Sequence, residues 1–160
     1  MGAGKTTVGR ALAARLGWEF ADTDELVERA EGRRVEAIFD ASGEGRFREA
    51  EWEALRSLSG RRRLVVATGG GLFLGVAQRA LIRANGRSCW LDVPLSLAAA
   101  RLQTGEARPM WAAADALSLR AMFERRRAAY ALADSRIDAS QGSSEDLARG
   151  IESLKNSLWR

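Results

Sequence analysis

Apolar residues recur along this chain with two periods, and the alternation between them lays out the fold. Val8, Leu12 and Leu16 fall on one helical face, which predicts a helix over Lys5–Leu16 with Gly17 as its stop. A short strand at 18–21 follows, then helical segments near 25–30, 35–40 and 45–59. Leu64–Ala67 is a β-branched apolar run, hence a buried strand, and it leads into Thr68-Gly69-Gly70-Gly71. Beyond it the pattern predicts a helix at 76–84, a strand at 88–93 and a helix at 96–102. An irregular stretch at 103–113, a long helix at 116–133, a strand at 136–138 and a helix over Ser144–Leu158 close the chain. Helices alternating with continuous apolar strands predict an α/β fold, a three-layer αβα arrangement around a central parallel sheet.

The long helix carries one residue that breaks its own pattern. Leu119, Met122, Phe123, Tyr130 and Ala133 form an apolar stripe, and Arg126 lies on it, one turn beyond Met122. Arg125 and Arg127 fall off the stripe and read as solvated. An inward arginine needs an anionic partner, because burying an unpaired charge is very costly. A structural ion pair and a bound carboxylate or phosphate both satisfy that need.

Composition narrows the chemistry. The 160 residues make one domain, large enough for a real core. No apolar run is long enough to span a membrane, and the N-terminus lacks a basic-then-apolar leader pattern. Cys89 is the single cysteine, so no internal disulfide forms and a cytoplasmic location is expected. Histidine is absent, which excludes His-based triads and His metal sites. A general base must then be a carboxylate, with Lys5 or Tyr130 as poorer choices. Lys5 and Lys155 are the lysines among 25 basic residues. The arginines are scattered among 21 acidic residues without a basic stripe, so a bias of Arg over Lys explains them better than nucleic-acid binding does.

Against that background Gly2-Ala3-Gly4-Lys5-Thr6-Thr7 stands out. It reads as the end of a phosphate-binding loop, GxxxxGK[ST], opening an amphipathic helix. Glycines let the backbone approach a polyphosphate, the lysine reaches the β/γ-phosphates and the Thr6 hydroxyl serves Mg²⁺. In a parallel sheet, ligands bind beyond the carboxyl ends of the strands. Asp22-Thr23-Asp24 and the triple glycine end two of those strands, so both converge on the phosphate loop. One aspartate suits the Mg²⁺ shell and another a substrate hydroxyl, while Asp24 alone would also serve as a helix cap. Gly69, Gly70 and Gly71 suggest close approach of backbone to a ligand, with a surface turn as the alternative. Arg108, in Arg108-Pro109-Met110, lies where a lid closing over phosphates would place a charge.

Taken together, GAGKTTVGRALA, FADTDELVE, GEGRFREAE, VVATGGG, RPM and RRAAY resemble the shikimate kinase family in order and spacing along nearly the whole chain. The resemblance implies a nucleoside-monophosphate-kinase-like fold and transfer of the ATP γ-phosphoryl group to the 3-hydroxyl of shikimate, on the route to chorismate and the aromatic amino acids. It implies that Gly2, Ala3, Gly4, Lys5, Thr6 and Thr7 hold ATP, and that Thr6 and Asp22 serve Mg²⁺. Asp24 would orient or deprotonate the hydroxyl. Arg48, Gly69, Gly70, Gly71 and Arg126 would hold shikimate, the arginines gripping its carboxylate. Arg108 would act from a lid at 103–114 that is slightly short for the family. The partners implied are shikimate and ATP, with a monomer expected and no nucleic-acid or membrane partner. The family's first strand, central in its five-stranded sheet, and the first glycine of its loop have no counterpart before Met1; the expectation is a natural start further upstream and a gap in the sheet. Another small-polyol kinase, such as a gluconate kinase, and a ligand-binding or regulatory domain without catalysis are the competing readings.

Overall fold

The computed structural model describes residues 2–103 and 116–158. Seven α-helices and four strands are present among them. They are α1 (Lys5–Leu16), β1 (Glu19–Asp22), α2 (Thr23–Glu31), α3 (Val35–Ser57), β2 (Leu64–Ala67), α4 (Val76–Asn85), β3 (Cys89–Asp92), α5 (Leu95–Gln103), α6 (Ala116–Tyr130), β4 (Ser135–Asp138) and α7 (Ser144–Leu158). A single 3₁₀ turn, Leu72–Leu74, follows the triple glycine.

All observed strand pairing is parallel. β1 pairs with β2, Asp22 opposite Ala67, and β3 pairs with β4, Asp92 opposite Asp138. Among the described residues no ladder joins β2 to β3, so the gap expected from the sequence falls between these two pairs. Helix α1 spans it. Its Val8 and Leu12 form one cluster with Ala148 and Ile151 of α7, and this cluster packs on Val65 of β2 as well as Cys89, Leu91 and Ile137 of the other pair. Side chains alternate across a strand. Trp90 and Asp92 therefore face away from α1, toward Phe123, Arg127 and Tyr130 of α6. Helices on opposite faces give the three expected layers.

A separate cluster, Val27, Val35, Ile38, Phe47 and Ala50, joins α2 to α3. Full burial of a side chain such as Ile38 or Val27 stabilises this corner by about 1.5–3 kcal/mol each. Where the sequence suggested two helices at 35–40 and 45–59, α3 runs from Val35 to Ser57 with a kink at Gly43 (φ 76°, ψ 176°). Glycine tolerates that left-handed φ. The kink lets the second half of α3 aim Arg48 and Glu51 at the triple glycine while Phe47 stays in the core.

Candidate active site

Three loops meet at the carboxyl edge of the strands. In the first, Gly2 (φ 67°) and Gly4 (φ 77°) occupy the left-handed region, as a phosphate loop requires. Gly2 also lies against α5, where a Cβ would come 2.6 Å from the Ala98 carbonyl oxygen. Gly4 is the N-cap of α1, and its carbonyl accepts from the Val8 N–H at 2.9 Å. The positive end of the helix, at Lys5, Thr6 and Thr7, thus opens where an anion would sit, with Ala3 buried behind it.

The second loop is tied to the first by a shared carboxylate. Thr6 Oγ1 donates to Asp22 Oδ2 at 2.7 Å, and the Asp24 N–H donates to Asp22 Oδ1 at 2.9 Å. Asp22, not Asp24, caps α2. The capping alternative for Asp24 therefore falls away: β1 runs on to Asp22, one residue past the expected end, and α2 begins at Thr23, two residues before the expected start, which leaves Asp22 in the extended N-cap conformation. Thr23, fully buried, accepts from the Gly69 N–H at 2.9 Å and so joins this loop to the third.

Two of the three glycines are needed for space. A Cβ on Gly69 would fall 2.1 Å from Glu51 Oε1 and 2.8 Å from Asp24 Oδ1, and one on Gly71 would fall 2.3 Å from Arg48 Nη1. None of the three glycines has a positive φ. Gly69 and Gly71 let Asp24, Arg48 and Glu51 close over the backbone. Arg48 Nη1 donates to Glu51 Oε2 at 2.6 Å, and Arg48 Nη2 pairs with Glu44 at 2.9 Å. Gly70 is held from the far side, where Tyr130 Oη donates to its carbonyl oxygen at 2.5 Å.

Arg126 sits one turn before Tyr130 and is 7% exposed. Among the described residues no carboxylate lies within ion-pairing distance of it, and its buried Nε has no hydrogen-bond partner. Of the two explanations open at the sequence level, the internal ion pair is absent from this set of residues. Arg127, expected to be solvated, instead pairs with Asp92 at 3.4 Å and lies over the Trp90 ring at 5.3 Å. Periodicity along α6 could not show that β3 carries a buried acid beside it. Arg108 and residues 104–115 of the expected lid region lie outside the described residues.

This arrangement has counterparts among known proteins. Residues 1–155 match the family model for shikimate kinase. The chain belongs to the shikimate kinase family. It is 40% identical to a shikimate kinase of Synechococcus elongatus over 99% of this chain and 84% of that protein. The structure is similar to that of shikimate kinase from Acinetobacter baumannii in complex with shikimate, with a TM-score of 0.90 and 37% identity, covering 99% of this chain and 90% of that one. A gluconokinase from Sinorhizobium meliloti shares the fold at a TM-score of 0.61, at 19% identity over 99% of this chain and 91% of the other.

Electrostatics divides the candidate site into exposed and buried charges. The Glu51 carboxyl is pushed above the usual range by burial, and the hydrogen bond and charge of Arg48 only partly oppose this. Burial also works against the charge of Arg48, yet Glu51 and Glu44 together lift it above the ordinary arginine value. The partners differ because the Glu51 side chain is 2% exposed and that of Arg48 is 30% exposed. Burial pulls the Arg126 guanidinium downward, with Tyr130 opposing, and raises the Tyr130 phenol so that it remains a donor. Thr23 and Glu51 were not singled out as site residues from the sequence, and Tyr130 only as a poor choice of general base. Glu51 and Tyr130 each stand one helical turn from an arginine that was, which is the signal that could have found them.

For a divalent cation, Thr6 and Asp22 offer two adjacent oxygen donors beside the loop. Mg²⁺ takes few protein ligands and completes its shell with water and phosphate oxygens, so this sparse pair fits it. No cluster of three or more metal-ligating side chains occurs among the described residues. None of the described helices is long and apolar enough to cross a membrane.

Proposed function

We propose that this member of the shikimate kinase family transfers the γ-phosphoryl group of ATP to the 3-hydroxyl of shikimate. The observation that carries the substrate assignment is Arg126, a buried guanidinium whose Nε has no hydrogen-bond partner among the described residues, close to the charges of Arg48 and Glu51 and one turn from the Tyr130 that holds Gly70. A carboxylated alcohol answers both needs of such a pocket, an anion for the arginines and a hydroxyl for the acid.

In this reading residues 2–7 grip the phosphates through backbone amides and Lys5. Thr6 and Asp22 would hold Mg²⁺, which would neutralise phosphate charge when bound with ATP. Arg48 and Arg126 fix the shikimate carboxylate, and the glycine turn limits how far the ring can tilt. Asp24 orients the 3-hydroxyl and accepts its proton as that oxygen bonds to the γ-phosphorus. The bond to the β–γ bridging oxygen breaks, and ADP leaves with the electron pair. Arg108 is assigned to charge stabilisation on the moving phosphoryl group from a lid at 103–114. The retained Asp22-Thr23-Asp24 and triple glycine favour catalysis over a binding-only role. A coupled ADP-release assay with MgATP tests this reading: turnover with shikimate and none with gluconate is expected, and turnover with gluconate alone, or with neither, overturns it.

A further inference from the structure

Within the glycine turn, each peptide plane but one is fixed by its own loop or its neighbours. The Gly69 N–H is held by Thr23, and the Gly69 carbonyl accepts from the Leu72 N–H at 3.2 Å. The Gly71 carbonyl accepts from the Leu74 N–H at 3.1 Å. Between them lies the Gly70–Gly71 peptide, flanked by two residues that have no side chain to restrain it. Among the described residues its one hydrogen bond is the 2.5 Å contact from Tyr130 Oη to the Gly70 carbonyl. A trans peptide is planar, so its N–H points opposite to its C=O. The Tyr130 hydroxyl, by fixing the carbonyl, also fixes where the Gly71 N–H points.

Tyr130 is well placed to act as a fixed post. Its ring packs 6.2 Å from Trp90 of β3 and 6.5 Å from Phe73 of the 3₁₀ turn, contacts that do not involve the hydroxyl. It shares a face of α6 with Arg126, one turn away. The same helix face therefore carries the arginine and sets the turn opposite it. Arg48 completes the contact, since its guanidinium lies where a Gly71 side chain would be.

We infer that Tyr130 is a positioning residue whose hydroxyl holds the Gly70–Gly71 peptide in register with Arg48 and Arg126, and so sets affinity for the carboxylated substrate without taking part in phosphoryl transfer. This inference rests on the shikimate reading for its substrate and on the hydrogen bond alone for its tether.

Tyr130→Phe keeps the ring and removes the hydroxyl. With MgATP, the variant should show a shikimate KM about tenfold higher, while kcat and the KM for ATP stay within about twofold. Phe73→Leu is the companion, loosening the same ring cluster and leaving the hydroxyl in place; it should lower the melting temperature and leave the shikimate KM unmoved. An unchanged shikimate KM in Tyr130→Phe overturns the inference, as does an equal KM change in Phe73→Leu. Amide hydrogen exchange across residues 69–74 reads the tether without substrate: faster exchange in Tyr130→Phe is expected, and equal rates overturn it. Should the wild-type protein fail to turn over shikimate, the substrate reading fails and the exchange measurement still decides the tether.

Discussion

At the proposed phosphate end, Gly2, Gly4 and the first turn of α1 offer backbone groups and a helix terminus, and the nearby side chains Thr6 and Asp22 are already hydrogen-bonded to each other. At the proposed substrate end, Arg48, Glu51 and Arg126 bring long charged side chains out of water, with Glu51 Oε1 and Arg126 Nε left without hydrogen-bond partners among the described residues. The first end is satisfied by local geometry and costs little when empty. The second carries desolvation that its own partners do not offset, and a bound anion would relieve it. A fold can thus keep a general anion cradle at almost no cost to stability, while selectivity for one substrate draws on stability elsewhere.

The largest effect that would sharpen this contrast is loss of the acid at the boundary. Asp24→Asn should lower kcat by about 10²–10⁴-fold, the usual range for a general base. ATP affinity, measured by calorimetry, should be unchanged because the phosphate end is built from other groups. Unaltered turnover would remove Asp24 from the chemistry, and lost ATP binding would show that the two ends are not separable.

Asp22→Ala tests the opposite end. It deletes both the bond from Thr6 and the cap of α2, and a lost cap costs about 1 kcal/mol. A lower melting temperature and a raised Mg²⁺ requirement are expected together, with the shikimate KM little changed. A shift in shikimate KM equal to that in Mg²⁺ requirement would blur the division.

A smaller effect concerns pH. Because burial raises the Glu51 carboxyl in the folded state, the protonated form favours folding, and that contribution is lost as the pH rises from the ordinary glutamate range through the raised value. Glu51→Gln stays neutral and should lose less stability over the same interval. Melting curves at a series of pH values check it, and parallel curves for the two proteins would show that Glu51 is not strained by burial. Asp138 and Asp146, held low by hydrogen bonds from Ser140 and Ser143, act in the acid range below this window and do not confuse the comparison.

The same contrast explains what the sequence revealed. The glycine loop is contiguous, so the left-handed Gly2 and Gly4 and the helix opening at Lys5 were legible from spacing alone, as were α1, β2 and α7 from periodicity. Arg126 was legible because an arginine on an apolar stripe contradicts its surroundings. Glu51 was not, because its partner Arg48 carries no such contradiction and only the kink at Gly43 turns both toward the glycines. Thr23 sits between two aspartates that drew attention from it. The triple glycine points to close approach of other groups to the backbone, and only the structure shows that at Gly69 and Gly71 these groups include Glu51, Asp24 and Arg48. Arg127 was misjudged because Asp92 lies far away in sequence.

Replacing Arg126 with a residue of similar volume tests the central claim most directly. Arg126→Met removes the buried charge and keeps an apolar side chain in its place, a change that is commonly neutral or stabilising. Thermal melts with and without shikimate give the answer in one experiment. The ligand-free variant should melt at or above the wild type, and shikimate should raise the wild-type midpoint but leave that of the variant in place. A variant that melts several degrees lower yet gains the same shift with shikimate would show that Arg126 serves the fold, and the division between the two ends would fail.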